Sequence, residues 1–148
     1  MTLQCDIVTQ DKLLYSGEVD AVIAPSTEGE IGILQDHTPL LTTLDIGVLR
    51  VRKAEEEEVF TIAGGVLEVS GNIVTVLADV GERLEEIDLE RAREAKERAE
   101  TLLREGPALG TDAYLQIQAA LRRSQLRMDA VRRYRRKQRM PAAPREES

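Results

Sequence analysis

Gly71-Asn72-Ile73-Val74-Thr75-Val76-Leu77-Ala78-Asp79 is followed, a few residues on, by Ile87-Asp88-Leu89-Glu90-Arg91-Ala92. The first stretch is a turn pair and then a β-branched run, the chemistry of a strand leaving a hairpin. Gly71-Asn72, with glycine first, suits a two-residue type II′ loop. In the second stretch Asp88 can cap a helix, and Glu90 lies in the first turn, where the positive end of the helix dipole favours a carboxylate. The chain therefore passes from strand to helix chemistry at about residues 82–87.

Toward the N-terminus the pattern stays that of strands. Leu3, Cys5 and Ile7 alternate with polar neighbours, as do Val19, Ala21 and Ile23 until Pro25. Ser16-Gly17 reads as a turn. Ile31 to Leu34 and Leu40 to Leu44 are short apolar runs. Val48 to Arg52 and Val59 to Ala63 read as a hairpin with Glu55, Glu56, Glu57 and Glu58 at its solvated tip. Gly64-Gly65 has no Lys-Ser/Thr after it and reads as a strand-to-strand turn rather than a phosphate loop. Short strands at this spacing predict an antiparallel β-sandwich of about 8–10 strands over residues 1–82.

Toward the C-terminus two helices are expected, folded into an antiparallel hairpin over residues 88–139, with a tail at 140–148. Ala92, Ala95, Ala99 and Leu102 recur at helical spacing, and Gly106-Pro107 ends the first helix. Thr111 or Asp112 caps the second, whose apolar stripe runs Ala113, Ile117, Ala120, Leu121, Ser124, Met128 and Val131. Both stripes are rich in small residues, so the hairpin is expected to be only marginally stable alone. The fold class is thus α+β.

Composition narrows the function. The 148 residues are 42% apolar but only 3% aromatic, which makes an aliphatic core. No apolar stretch approaches the roughly 20 residues that span a bilayer, and Met1 to Asp6 lacks the basic-then-apolar pattern of a secretory leader. The single cysteine, Cys5, makes no internal disulfide, fits a reducing compartment and reads as a small buried apolar group. One histidine, His37, with no second ligand nearby makes no zinc site and reads as a hydrogen-bonding loop residue. No nucleophile–base pair is visible, so no catalytic or metal site is expected.

Charge is unevenly spread. Residues 1–121 carry 10 basic and 24 acidic groups, whereas residues 122–139 carry 9 basic and 1 acidic. A basic segment on an acidic body seeks an acidic partner. Arg91 and Arg98 share one face of the first helix, and Arg123 and Arg127 share one face of the second. By spacing alone these are either solvated faces or four guanidiniums that converge on an anion, for which arginine is well suited. The basic helix also admits a nucleic-acid-binding module, although only Tyr134 is placed to stack on a base and the acidic body repels phosphate backbones.

Several segments occur together in order: Ser16-Gly17-Glu18-Val19, Glu28-Gly29-Glu30-Ile31-Gly32-Ile33, His37-Thr38-Pro39-Leu40-Leu41, Gly64-Gly65-Val66-Leu67-Glu68-Val69 and Asn72 to Asp79. Together they resemble the epsilon subunit of F-type ATP synthases, of the bacterial type, over about residues 2–139. The resemblance implies a non-catalytic, peripheral subunit at the cytoplasmic face of the cell membrane. It would belong to the rotating central stalk of an enzyme making ATP from proton flow, bound to gamma and resting on the c-ring. It also implies a regulatory hairpin. Folded, it permits rotation; extended along gamma, its basic second helix meets acidic segments of the alpha/beta head and inhibits ATP hydrolysis. Arg122, Arg123, Arg127, Arg132, Arg133, Arg135 and Arg136 are then the candidate contacts, and nucleic acid is not a partner. Some members bind ATP, as a regulatory ligand rather than a required cofactor, through Ile/Leu-Asp-x-x-Arg-Ala. Ile87, Asp88, Arg91 and Ala92 fit that motif, and Glu82, Arg98, Arg123 and Arg127 fall at the family's other ATP positions. The turn around Gly106, Pro107 and Gly110 is longer than in those members, which bears on the register of the second helix.

Overall fold

The structure, a computed structural model, describes residues 2–105 and 110–135, without the side chain of the last of these. The Gly106-Pro107 helix stop, Arg136 and the tail at 140–148 therefore lie outside the described residues, as does the side chain of Arg135. The chain divides into two compact units, residues 1–83 and 84–148.

The first unit holds seven strands: β1 (Leu3–Val8), β2 (Leu13–Val19), β3 (Ala21–Ser26), β4 (Gly29–Leu34), β5 (Leu40–Lys53), β6 (Glu56–Ser70) and β7 (Ile73–Arg83). Their order is β2-β1-β7-β6-β5-β3-β4. All pairs are antiparallel except β1 with β7, which run parallel. The count is seven rather than 8–10 because apolar runs that look separate are halves of long strands. β5 joins Leu40–Leu44 to Val48–Arg52, and β6 joins Val59–Ala63 to Val66–Ser70.

The sandwich arises from how those long strands change face. In β6 the residues of the core cluster are Phe60 and Ile62, then Leu67 and Val69, a switch from even to odd positions; Val59 and Thr61 are buried outside that cluster. A period-two strand can make that switch only by breaking its alternation. Gly64 and Gly65, at φ +80° and +132°, sit at the switch. They are not a turn between strands; Gly65 pairs with Leu44 on one side and Ala78 on the other. β5 makes the same switch between Leu44 and Leu49. Ser16-Gly17 likewise lies inside β2, paired with Asp6 and Cys5. The core is aliphatic, with Phe60 as its one large ring, and Tyr15 meets that ring edge-on at 5.9 Å.

Two hairpin tips differ from the sequence reading. Between β6 and β7 both Gly71 (φ +54°) and Asn72 (φ +61°) are left-handed, which is type I′ rather than II′. Asn72 holds that conformation by accepting from the Asp36 amide at 2.7 Å. Between β5 and β6 the tip is Ala54-Glu55, and Glu56, Glu57 and Glu58 belong to the strand, opposite Lys53, Arg52 and Val51. There Arg52 and Glu57 pair at 2.8 Å, which offsets the expected self-repulsion. Ala54 has φ +55°, a position that favours glycine. Left-handed alanine costs about 1–2 kcal/mol, and glycine's extra unfolded-state entropy costs about 0.4–1 kcal/mol. Ala54→Gly should therefore stabilise the sandwich by about 0.5–1 kcal/mol, read as a melting temperature a few degrees higher by circular dichroism.

The second unit comprises a 3-10 turn (Leu84–Glu86), α1 (Leu89–Arg104), α2 (Thr111–Ala130) and a π turn (Val131–Arg135). α1 packs on α2. The seam uses the small residues expected: Ala92, Ala99 and Ser124 are buried. Leu102 is not part of it. It is exposed, and Leu103 is the half-buried neighbour, one residue around the helix. α2 is capped by Gly110, with no side-chain bond, so Thr111 is its first residue rather than its cap.

Candidate functional site

α1 begins at Asp88, whose carboxylate accepts from the Arg91 amide at 3.1 Å and so satisfies one of the open donors of the first turn. The same carboxylate approaches the Arg91 guanidinium at 3.7 Å, and the Arg91 side chain is 83% exposed. Ile87 and Ala92 are buried. They pack the start of the helix and offer a ligand little surface of their own. Farther along, Arg93 pairs with Glu90 and Glu97, and Lys96 with Glu100, ion pairs that stiffen an exposed helix modestly.

Arg98 is exposed and borders an open cavity of about 610 Å³ with Glu94, Glu97, Thr101 and Leu102. On α2, Arg123 and Arg127 are half-buried, and the Nε of Arg127 is shut off from solvent. Their positions follow from helix geometry. At about 100° per residue, Arg91 and Arg98 lie roughly 110° to one side of the buried Ala92–Ala99 line. Arg123 and Arg127 lie roughly 80–120° from the Ser124–Met128 line in the same rotational sense. On antiparallel helices equal offsets fall on the same side of the seam. The four arginines thus share one side of the hairpin, with Arg127 closest to the seam. Glu82 is half-buried on β7, opposite Thr61, and belongs to the first unit.

The other basic candidates are described at three positions. Arg122, Arg132 and Arg133 are exposed. The Arg133 guanidinium lies 5.4 Å over the Tyr134 ring, covering a face that a base would need. Elsewhere the residues that carry chemistry in enzymes are placed structurally. Burial pushes the Cys5 thiol up to about 12, with Asp6 adding to the shift, so it holds its proton and is no nucleophile. His37 is half-buried, and its Nδ1 lies 2.7 Å from the Thr38 carbonyl. Among the described residues no cluster of His, Cys, Asp or Glu is arranged to hold a metal, and no helix is long and apolar enough to cross a membrane.

Each unit is matched by a family model. Residues 2–84 match the ATP synthase delta/epsilon chain β-sandwich domain, and residues 85–132 its long α-helix domain. The chain belongs to the ATP synthase epsilon family. Among curated epsilon chains, one from Nostoc sp. is 43% identical over 88% of this chain and 97% of its own. One from Psychrobacter cryohalolentis is 44% identical over 90% and 96%, and one from Carboxydothermus hydrogenoformans 50% over 71% and 79%. Among solved structures, a mitochondrial ATP synthase of Euglena gracilis, an OSCP/F1/c-ring assembly, contains a chain similar at TM-score 0.75 and 25% identity, covering 88% of this chain and 81% of that one. A chain of the Tetrahymena thermophila central stalk and c-ring is similar in fold alone, at TM-score 0.57 and 15% identity, covering 88% and 97%.

Proposed function

We infer that this epsilon chain is a non-catalytic piece of the rotating central stalk, joining gamma to the c-ring at the cytoplasmic face of a bacterial membrane during proton-driven ATP synthesis. The sandwich supplies the docking. Val66 on β6 and Leu77 on β7 are paired and exposed, and Ile73 is exposed on the same strand. Exposed apolar side chains on neighbouring strands, here interrupted by Thr75, suit a partner surface, and gamma is its natural occupant in this reading. The hairpin is the regulator. Folded, it leaves the rotor free; extended, it brings Arg122, Arg123, Arg127, Arg132 and Arg133 to acidic segments of the alpha/beta head and stops ATP hydrolysis.

ATP holds the hairpin closed. The observation that carries this is the placement of Arg91, Arg98, Arg123 and Arg127 on one side of a thin seam. Bringing like charges together in one unit is costly, and a polyphosphate removes the cost through charge-assisted hydrogen bonds. Glu94 and Glu97 beside Arg98 repel phosphate, so the triphosphate belongs nearer Arg91, Arg123 and Arg127, with Arg98 at the edge. A ligand bound only to the closed state at about 100 times its dissociation constant stabilises it by about 2.7 kcal/mol, enough to move a weakly packed element. Calorimetric titration of the full chain with ATP tests this. Heat and a raised melting temperature are expected at millimolar nucleotide, with Arg123→Ala weakening binding about tenfold or more. No heat and no melting shift in the wild type would overturn the ATP reading. In the same preparation, a salt-sensitive gel shift with generic single-stranded DNA would favour the nucleic-acid alternative.

A further inference from the structure

We propose that the folded hairpin is fastened at its open end, by an apolar clasp where the π turn packs on the 3-10 turn. This clasp, rather than the α1–α2 seam, sets how often the basic arm is released. The consequence for regulation rests on the reading above; the clasp itself does not.

The buried residues midway along the seam are small, Ala92, Ala99 and Ser124; Met128, on the same line of α2, lies one turn nearer the open end. The large apolar side chains along the helices are exposed (Leu89, Leu102, Tyr114 and Leu115) or only half-buried (Leu103, Ile117, Leu121 and Leu126). The large buried ones gather instead where the unit begins and ends. Leu84 (1% exposed) and Ile87 (3%) lead into α1, and Met128 (4%) and Val131 (6%) finish α2. The 3-10 turn and the π turn that carry Leu84 and Val131 pack together. Each of these side chains removes several times the apolar area that an alanine does. Most of the hydrophobic attachment therefore sits away from the α1–α2 turn.

Both turns are shaped for this contact. The Ile87 amide donates to the Leu84 carbonyl at 3.2 Å, which closes the 3-10 turn and presents both side chains from a short arc. At the other end the α-helix gives way to a wider turn. The Val131 amide still makes the α bond to the Arg127 carbonyl, shared with the Met128 carbonyl, and Val131–Arg135 forms the π turn. Such widened turns recur at functional points of helices. Here the widening lets the adjacent Ala130 and Val131 both be buried while Arg132 and Arg133 face solvent. Opening the clasp thus frees Arg132 and Arg133 first, and the rest of α2, with Arg122, Arg123 and Arg127, follows as the seam parts.

Hydrogen exchange on the full chain tests the clasp, with the sandwich amides as internal reference. Val131→Ala trims the clasp; Leu103→Ala removes a larger group from a half-buried site near the far end of α1. The clasp predicts about tenfold faster exchange across α2 for Val131→Ala and no more than about twofold for Leu103→Ala. Ile87→Val, a milder cut on the opposite half, should act in the same direction as Val131→Ala. Wild-type exchange in Val131→Ala overturns the proposal. So does an equal or larger effect of Leu103→Ala, or a rise shared by the sandwich amides, which would make the site part of a common core. ATP hydrolysis by the assembled enzyme carrying Val131→Ala separates the two readings. Faster α2 exchange with unchanged hydrolysis keeps the clasp and sinks the regulatory reading.

Discussion

Gly65→Ala should unfold the sandwich or come close to it. A Cβ built on Gly65 falls 2.2 Å from the Leu77 carbonyl oxygen and 2.9 Å from the Ala78 Cα. Both are backbone of the adjacent strand, and neither can swing aside as a side chain does. The φ of +132° adds strain to any L residue. Relief requires β6 and β7 to separate where the sheet folds into two layers. That would loosen the pairs Val66–Leu77 and Ala63–Val80 on either side. A cost of about 4 kcal/mol or more is expected, near the upper end for a single substitution. It is a large share of the roughly 5–15 kcal/mol that holds a domain together. Gly71→Ala is the control: its φ of +54° is left-handed but nothing lies within 4 Å of the added carbon, so it should cost only about 1–2 kcal/mol. Urea unfolding of the two variants separates overlap from strain. Equal midpoints would show that the close approach at Gly65 is not what the fold requires.

The same glycines explain which parts of the fold could be read in advance. Leu3, Cys5 and Ile7 are all fully buried, as their alternation requires, because β1 keeps one phase throughout. β5 and β6 do not. A phase change mid-strand looks, in one dimension, like the end of one strand and the start of another, and Gly64-Gly65 looks like the turn between them. Ser16-Gly17 misleads for the opposite reason: local turn chemistry is overridden by pairing with Asp6 and Cys5, to which no short window of sequence is sensitive. The parallel contact of β1 with β7 is likewise a long-range fact.

In the hairpin the local features were legible and the rotational ones less so. Asp88 caps α1 as its spacing suggests, because an N-cap depends on only three or four residues. Spacings of three and four cannot distinguish Leu102 from Leu103 as the seam residue, since both continue the stripe within half a turn. Arg91 and Arg98 could be paired on one helix from spacing alone, and so could Arg123 and Arg127. That the two pairs share a side needed the buried lines of both helices. The π turn at Val131 had no sequence signal, for it is set by what the end of α2 must bury.

Removing residues 88–148 should give an ATP synthase that assembles and turns but hydrolyses ATP several-fold faster when ATP is scarce. The sandwich survives the cut because its core cluster, from Leu3 to Ala78, contains no residue of the second unit. The exposed row of Val66, Ile73 and Leu77 stays in place for gamma. On the reading proposed above, the cut removes the hairpin together with the exposed Arg122, Arg132 and Arg133, so the brake should go and the coupling remain. The charge argument can be tested without deletion. Arg132→Glu with Arg133→Glu alters two exposed side chains beyond the buried Val131 and leaves the seam untouched. If acidic segments of the head receive the arm, this pair should also raise hydrolysis, and the remaining inhibition should weaken further with salt, as screened charges do. Unchanged hydrolysis in the deletion would remove the inhibitory role from this hairpin. Loss of assembly would mean that the helices, and not the sandwich alone, hold the chain to the rotor. Relief by deletion but not by charge reversal would place the brake in the bulk of the extended helices, obstructing rotation by volume rather than by charge.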